Sequence, residues 1–283
     1  MARAEQLTDP LAFHGEGPSW SESWGGLRWV DMLAGDVLSL DAAGTVERLH
    51  VGTIAAMIRP RTRGGAIIAR EHDFAILHDS GEIEPLVTVL DDPAVRFNEG
   101  GCDPQGRLYC GSMRYDAAEG GASVYRLELD HTVTVALSPV TISNGLEFAE
   151  TGDFAYYVDT PTNRVDRLEY DPERGFLARS TFATIPRDRG YPDGIALDVD
   201  GGVWVAIGHG SAVYRFDRDG RLDQVVDVPV SNVTACTFGG EDMTTLYITT
   251  SREGIPGGAE PEAGAVFSYE APVAGRAAGA YAG

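Results

Sequence analysis

Residues 97–106 read Phe97-Asn98-Glu99-Gly100-Gly101-Cys102-Asp103-Pro104-Gln105-Gly106, and they place the Asn98 side chain eight residues before a turn glycine. The pattern recurs twice with the same offset and once with one or two extra residues, from Asn144 to Gly152, from Asp193 to Gly201, and from Glu16 to Gly25-Gly26. Repetition at a fixed period is the sequence signature of a repeat architecture. The four polar side chains are therefore predicted to occupy equivalent places in four repeats.

Six strand-turn-strand units follow one another at intervals of about 40 to 50 residues, which is the length of one four-stranded propeller blade. Their turns begin near Trp24, Arg63, Asp103, Thr151, Asp198 and Gly240. No convincing amphipathic helix interrupts the alternating strands, and closure of the units into a ring removes exposed sheet edges. We predict an all-β chain, a six-bladed β-propeller. Residues 1–283 are expected to form a single domain, with N-terminal residues helping to close the ring and a loose tail from about residue 274.

The charge of the chain argues against nucleic acid as a partner. The 283 residues carry a formal charge of −21, and all 22 basic residues are arginine. Binding to a phosphate backbone needs clustered basic side chains, and the lack of lysine excludes Schiff-base chemistry. No apolar run approaches the roughly 20 residues of a membrane helix, and Met1–Pro10 lacks the pattern of a secretory signal. A cytoplasmic protein without membrane contact is predicted.

The repeat also predicts where a binding site lies. The strand ahead of each turn is the innermost strand of its blade, so its early residues are expected to face the axial channel, where we place the active site. Four blades are predicted to contribute Glu16, Asn98, Asn144 and Asp193. The other two offer the blander Ala56 or Met57 and Thr234. Converging buried carboxylates and amides need compensation, and a bound cation supplies it most simply.

Several short motifs, in this order, resemble the family of six-bladed propellers that includes senescence marker protein (regucalcin), gluconolactonase and luciferin-regenerating enzyme. The motifs are Gly15-Glu16-Gly17-Pro18-Ser19-Trp20, Arg96-Phe97-Asn98 with Asp103-Pro104 and Gly106-Arg107, Gly111-Ser112-Met113, Ile142-Ser143-Asn144-Gly145-Leu146 with Tyr157-Val158-Asp159-Thr160, Pro192-Asp193-Gly194, and Cys236-Thr237-Phe238-Gly239-Gly240. Each motif is weak alone, but the ordered set is specific and covers nearly the whole chain.

The resemblance implies a divalent metal ion held by Glu16, Asn144 and Asp193. It also implies that Arg96 and Asn98 contact a polyhydroxylated substrate. Two carboxylates and one amide oxygen suit Ca²⁺, Mg²⁺ or Mn²⁺, whereas a tight structural Zn²⁺ site would use His or Cys. The metal is therefore predicted as one divalent cation, with Ca, Mg, Mn and Zn left open.

Because members of this family typically hydrolyse sugar lactones, the resemblance implies a metal-dependent lactonase acting on a sugar lactone or a similar small cyclic ester. Asp193 is the predicted general base, and Arg96 is predicted to stabilise developing negative charge or to bind a substrate oxygen. Two alternatives stay open. One is a non-catalytic propeller that binds calcium or another ligand, and the other is an aryl ester or organophosphate hydrolase using the same metal. The oligomeric state is left open.

Several further residues need a place in the structure. Glu99 stands where the family usually has Asp, and its extra methylene predicts altered geometry around Asn98. Some members take another acidic substrate contact from the loop after the third blade's Met, for which Asp116 and Glu119 are candidates. His14 and His209 are expected either at the channel mouth or as satisfied or surface histidines.

Overall fold

The computed structural model describes residues 2–283, which fold into six sheets arranged as the blades of a β-propeller. Its strands, numbered in chain order, are β1 (Ala2–Arg3), β2 (Glu5–Gln6), β3 (Gly15–Ser21), β4 (Gly26–Asp31), β5 (Asp36–Leu40), β6 (Val46–His50), β7 (Ala55–Pro60), β8 (Ala66–Arg70), β9 (Asp73–Leu77), β10 (Ile83–Thr88), β11 (Val95–Cys102), β12 (Leu108–Arg114), β13 (Ala122–Leu127), β14 (Val133–Val140), β15 (Ser143–Phe148), β16 (Phe154–Asp159), β17 (Arg164–Asp171), β18 (Gly175–Thr184), β19 (Tyr191–Leu197), β20 (Val203–Gly208), β21 (Ala212–Phe216), β22 (Leu222–Asp227), β23 (Val233–Gly239), β24 (Thr245–Thr250) and β25 (Val266–Glu270). The helical segments are short 3₁₀ turns at Glu22–Trp24, Met32–Ala34, Thr160–Thr162 and Arg187–Arg189.

Blades one to five each take four consecutive strands, β3–β6, β7–β10, β11–β14, β15–β18 and β19–β22. Blade six combines β23, β24 and β25 with β2 as its outermost strand, and β1 adds a parallel edge strand to blade five. The first strands of neighbouring blades contact one another all the way round, including β23 with β3. The six-bladed ring is confirmed, as is the prediction that the N-terminal residues help to close it.

Burial follows the distance of a strand from the centre of the ring. Every residue of β7 and of β11 is buried, because neighbouring inner strands pack on them from both sides. The outer strands β10 and β14 are mostly half-buried or exposed. Aromatic side chains fill the spaces between blades, as where the Phe74 ring of blade two stacks on Phe97 of blade three at 4.6 Å between centroids. Among residues 2–283, no helix has the length and apolar character needed to cross a membrane.

The turn that follows each inner strand needs a glycine because of its backbone conformation. Gly106 and Gly201 have φ angles of +80° and +81°, a backbone region that residues with a Cβ rarely adopt. The carboxylate of Asp103 accepts hydrogen bonds from the backbone N–H groups of Gln105 and Arg107, which closes the turn. The offset that marked the repeat therefore measures the distance from a fixed point on the inner strand to the end of the blade's first turn.

The C-terminal tail differs from its prediction. Instead of being loose, it crosses the ring: the backbone N–H of Arg276 donates to Leu197 O, and that of Tyr281 donates to Pro60 O. The Tyr281 side chain is fully buried, and its hydroxyl donates to the Glu128 carbonyl at 2.8 Å. The prediction was wrong because small residues in the tail, such as Gly279 against Cys102, allow close backbone packing rather than freedom.

Candidate functional site

A bulge interrupts strand pairing at an equivalent point in all six inner strands. The pairing shifts between Glu16 and Ser19, Ala55 and Met57, Phe97 and Gly100, Ser143 and Leu146, Pro192 and Ile195, and Val233 and Ala235. A β-bulge bends its strand and redirects a side chain away from the regular alternation. The bulges are the local device that places the four repeated polar residues.

Those residues share one cavity of about 430 Å³, within the usual range of small-molecule sites. The five predicted site residues all line it, namely Glu16, Arg96, Asn98, Asn144 and Asp193. Thr234 joins them from blade six. Ala56 and Met57 of blade two are buried, and in the described part of the chain blade two contributes no lining residue.

A chain of hydrogen bonds fixes the orientation of Asn144. The Thr160 hydroxyl donates to the Pro192 carbonyl, so its oxygen accepts from Asn144 Nδ2 at 2.8 Å. Asn98 Nδ2 donates in turn to Asn144 Oδ1 and to the Ser143 carbonyl, each at 2.9 Å. Since an amide oxygen has two lone pairs, Asn144 Oδ1 keeps one for another partner.

Arg96 is a buried cation without an ionic partner. Arg96 is only 7% exposed. Within residues 2–283, however, no carboxylate lies within 4.0 Å of its guanidinium. Nη1 donates to Asn98 Oδ1 at 2.7 Å and to Phe97 O at 2.9 Å. Burial lowers the pKa of Arg96 from its ordinary value. The N–H groups on Nε and Nη2 donate to no protein acceptor within residues 2–283, which leaves them for a ligand.

Two carboxylates face the cavity in an unfavourable state. Burial, followed by repulsion from Asp193 and Glu99, raises the pKa of Glu16 well above its usual value. Burial and then repulsion from Glu99 do the same to the pKa of Asp193. Asp193 Oδ1 is buried and has no hydrogen-bond partner within the described chain. Such groups are costly unless a proton or a cation neutralises them.

Glu99 lies beneath this site rather than in its lining. Its carboxylate forms a buried ion pair with Arg59 of β7, at 3.0 Å between Arg59 Nη2 and Glu99 Oε1. Arg59 also donates to the Gly100 carbonyl at 2.5 Å. Burial raises the pKa of Glu99, and the charge of Arg59 opposes this shift. The extra methylene relative to Asp thus supports an ion pair between the inner strands of blades two and three.

His14 lies beside Glu16 at the cavity wall. Its Nδ1 is 2.7 Å from Ser251 Oγ, and its Nε2 is 3.7 Å from Glu16 Oε1. Burial, assisted by the positive charge of Arg96, lowers the pKa of His14 to about 4. The ring is therefore neutral at pH 7.

The donor set fits a hard cation. Glu16, Asn144 and Asp193 offer two carboxylates with an unmet need for neutralisation and an amide oxygen with a free lone pair. In the region that the structure describes, no three His, Cys, Asp or Glu side chains are grouped so as to hold a metal. The predicted ligand set is not of this kind, because it contains only two carboxylates and its third ligand is the amide oxygen of Asn144. An all-oxygen set of this kind suits Ca²⁺, Mg²⁺ or Mn²⁺.

The candidates for an additional acidic contact were wrong. Asp116 pairs with Arg114 at 3.0 Å on the surface, and Glu119 is exposed; neither lines the cavity. The acidic side chain that does line it beyond the predicted set is Glu253, in the connection after β24. No repeat offset marks that connection, so no sequence pattern predicts that Glu253 lies at the cavity.

Other lining residues were only partly foreseen. His209 does lie at the cavity, on a turn where its φ of +58° is unusual for a residue with a side chain. Its ring meets that of Tyr191 edge to face at 6.3 Å. Arg187 and Tyr191 also line the cavity. Arg187 lies in the connection into β19, and Tyr191 is the first residue of β19. The glycines flanking His209 were the one available hint of a special turn.

The chain resembles known proteins over nearly its whole length. Residues 14–252 match the model of the SMP-30/gluconolactonase/LRE-like region. The chain belongs to this family. It is 34% identical to regucalcin of Danio rerio, with 89% of each protein covered. It is 32% identical to pentonolactonase XacC of Haloferax volcanii, over 96% of this chain and 95% of that one. A solved structure of a calcium-binding protein, regucalcin, from Agrobacterium tumefaciens superposes with a TM-score of 0.92, at 26% identity, over 99% of this chain and 97% of that one.

Proposed function

We propose that the protein is a divalent-metal-dependent lactonase that hydrolyses a sugar lactone in this cavity, at the mouth of the axial channel. The relatives support the reaction, since one is named a pentonolactonase. The calcium-binding regucalcin supports a divalent ion. Both resemblances cover nearly the whole chain, so the proposal concerns the complete propeller.

One observation carries the proposal. Two carboxylates with strongly raised pKa values and a buried guanidinium without an ionic partner line the same cavity and yet are not paired with each other. Left alone, each of these groups is unfavourable. A cation on the carboxylate side and an oxygen-rich ligand on the arginine side satisfy both.

Glu16, Asn144 and Asp193 are the residues that would hold the metal. When bound, a divalent cation polarises a carbonyl oxygen and lowers the pKa of a bound water. The hydrogen bond that Asn144 Nδ2 donates to Thr160 Oγ1 and the one that Asn144 Oδ1 accepts from Asn98 keep the Asn144 oxygen turned to this side.

The chain's own groups then have distinct tasks. Asp193, whose side chain lines the cavity, would take a proton from an attacking water. The free donors of Arg96 bind a substrate oxygen and oppose negative charge that develops in the transition state. Asn98 has both amide hydrogens committed, so its second Oδ1 lone pair is what it offers to a substrate hydroxyl.

One experiment distinguishes the lactonase from the two alternatives, a non-catalytic binding protein and an aryl ester or organophosphate hydrolase. Metal-stripped protein is reconstituted separately with Ca²⁺, Mg²⁺, Mn²⁺ or Zn²⁺. Proton release is then measured over 1,4- and 1,5-lactones of pentonic and hexonic acids, with an aryl acetate and an organophosphate triester in parallel. We expect a sugar lactone to be hydrolysed fastest, with activity lost on chelation and restored by a divalent ion.

Other results contradict the proposal in different ways. Verified metal binding without hydrolysis of any ester supports a binding protein. Faster turnover of the aryl ester or the triester supports the third function. Lactone hydrolysis that survives complete chelation contradicts the role of the metal.

A further inference from the structure

Arg187 brings a second guanidinium to the cavity. It belongs to the 3₁₀ turn Arg187–Arg189 between β18 and β19, and its side chain lines the rim. Its hydrogen bond within the described chain is a long one, from Nη2 to the Pro161 carbonyl at 3.3 Å. No carboxylate of residues 2–283 lies within 4.0 Å of it. Because a guanidinium has five N–H donors, most of them remain available to a ligand.

Formal charges in the cavity show what kind of ligand these donors suit. Three carboxylates, of Glu16, Asp193 and Glu253, face two guanidinium groups, of Arg96 and Arg187. Histidines apart, the formal charge is −1, and a bound divalent cation changes it to +1. The rest of the molecule is strongly acidic, at −21 overall. A cavity of positive charge in such a chain is complementary to a ligand with a single negative charge.

The two arginines enter from different places. Arg96 is hydrogen-bonded to Asn98 and is thereby tied to the proposed metal ligands. Arg187 comes from the connection between blades four and five and is exposed at the rim, where Tyr191 and Pro161 also line the wall. Arg96 is thus suited to the reacting ester, and Arg187 to a substituent at the other end of the substrate.

We propose that the substrate is a sugar lactone that carries a carboxylate on the carbon chain outside its ring, and that Arg187 binds this carboxylate. The inference rests on the proposed function and names its substrate class. A lactone ring is itself uncharged, so the single negative charge that the cavity favours belongs to a substituent. A planar guanidinium matches the two oxygens of a carboxylate better than a lone hydroxyl does.

Glucono-1,4-lactone and glucaro-1,4-lactone test the proposal, because they differ only at C6, which is CH₂OH in the first and carboxylate in the second. We expect the wild-type protein, loaded with its activating cation, to have a higher kcat/KM for glucaro-1,4-lactone. Arg187→Gln should lower this preference by about tenfold or more, mainly through KM, since a charged hydrogen bond is lost. The preference of the wild type should also shrink as ionic strength rises.

Arg189→Gln is the matched control. Arg189 lies in the same exposed turn, carries the same charge and is outside the cavity lining. It should leave the preference between the two lactones unchanged. A wild-type preference for glucono-1,4-lactone, or an equal effect of Arg187→Gln on both lactones, overturns the proposal.

Calorimetric titration with glucarate and gluconate separates this inference from the lactonase function. If no lactone is hydrolysed but glucarate binds more tightly than gluconate and loses that advantage in Arg187→Gln, the lactonase function fails and the acidic-ligand site stands. If lactones are hydrolysed but Arg187→Gln keeps the wild-type preference between the two acids and between the two lactones, the lactonase function stands and the role of Arg187 is wrong.

Discussion

The carboxylate of Asp193 combines burial, a missing hydrogen bond and repulsion from neighbouring acids. A carboxyl whose pKa is raised by folding destabilises the protein as pH rises above its ordinary pKa, because only the unfolded state ionises freely. At neutral pH the metal-free protein therefore carries a stability cost at this residue. Binding of a cation removes it.

Asp193→Asn tests this account. Without metal, the variant should unfold at the same or a higher temperature than the wild type, since a buried like charge is gone. A divalent ion at about 100 times its Kd should stabilise the wild type by about 2.7 kcal/mol but leave the variant unchanged. Lactone turnover should fall by about 10²- to 10⁴-fold. Calorimetric titration of the metal, thermal unfolding and proton-release kinetics measure the three effects.

Asp200→Asn is the control for that variant, because Asp200 is exposed in the turn after the same inner strand. It should match the wild type in all three measurements. Near-normal turnover of Asp193→Asn at saturating metal would remove Asp193 from the proposed site.

Arg96→Lys separates substrate binding from metal binding. Lysine keeps the positive charge but not the forked donors, so metal affinity should stay nearly unchanged while kcat/KM falls by roughly ten- to a thousand-fold. Metal titration and lactone kinetics on the same preparation provide the comparison. Weakened metal binding with normal kinetics at saturating metal would instead make Arg96 a structural support.

Among the elements, the bulged inner strands position the site, and Gly194 shows how closely they are packed. A Cβ built on Gly194 would lie 2.4 Å from the Ala235 Cβ of β23 and 3.0 Å from Glu99 Oε2. The bulge that redirects Asp193 therefore depends on direct backbone contact between the inner strands of blades five and six.

Gly194→Ala should force these strands apart. We expect a loss of about 1–3 kcal/mol in the free energy of unfolding, as is usual for overpacking, together with weaker metal binding. Chemical denaturation and metal titration measure both. Gly208→Ala is the stability control, because its added Cβ would meet its neighbours at ordinary distances of 3.7–3.8 Å. A Gly194→Ala protein as stable as this control would show that the bulge tolerates rearrangement.

For the molecule as a whole, the tail joins the C-terminal residues to blades two and three, which are distant from it in sequence. Tyr281 is bonded through its backbone to blade two and through its hydroxyl to the turn after β13 of blade three. We expect Tyr281→Ala to lower the free energy of unfolding by about 3–5 kcal/mol, because a large buried side chain is removed. Leu177→Ala, at a position 44% exposed, should change it by less than about 0.5 kcal/mol. Equilibrium denaturation of the two variants makes the comparison, and equal stabilities would show that the tail is dispensable.

Much of the architecture follows from sequence because a repeat constrains every copy. The turns expected near Trp24, Arg63, Asp103, Thr151, Asp198 and Gly240 each lie between the first and second strands of a blade. The offset from the turn glycine, eight residues for three repeats and one or two residues longer for the first, also predicted that Glu16, Asn98, Asn144 and Asp193 share a cavity. A fixed offset from a turn glycine means a fixed position on the inner strand, and the closed ring brings such positions together. The chemical roles of these residues stay predictions.

The tertiary structure alone decided the parts that lie outside the repeat. Arg187 and Glu253 reach the cavity from connections of irregular length, where no period relates sequence to position. The ion pair of Arg59 with Glu99 joins two strands that are 40 residues apart in sequence, and the tail that seemed loose by composition buries Tyr281. A periodic pattern constrains the residues that obey it, whereas contacts between connections depend on how the finished ring packs.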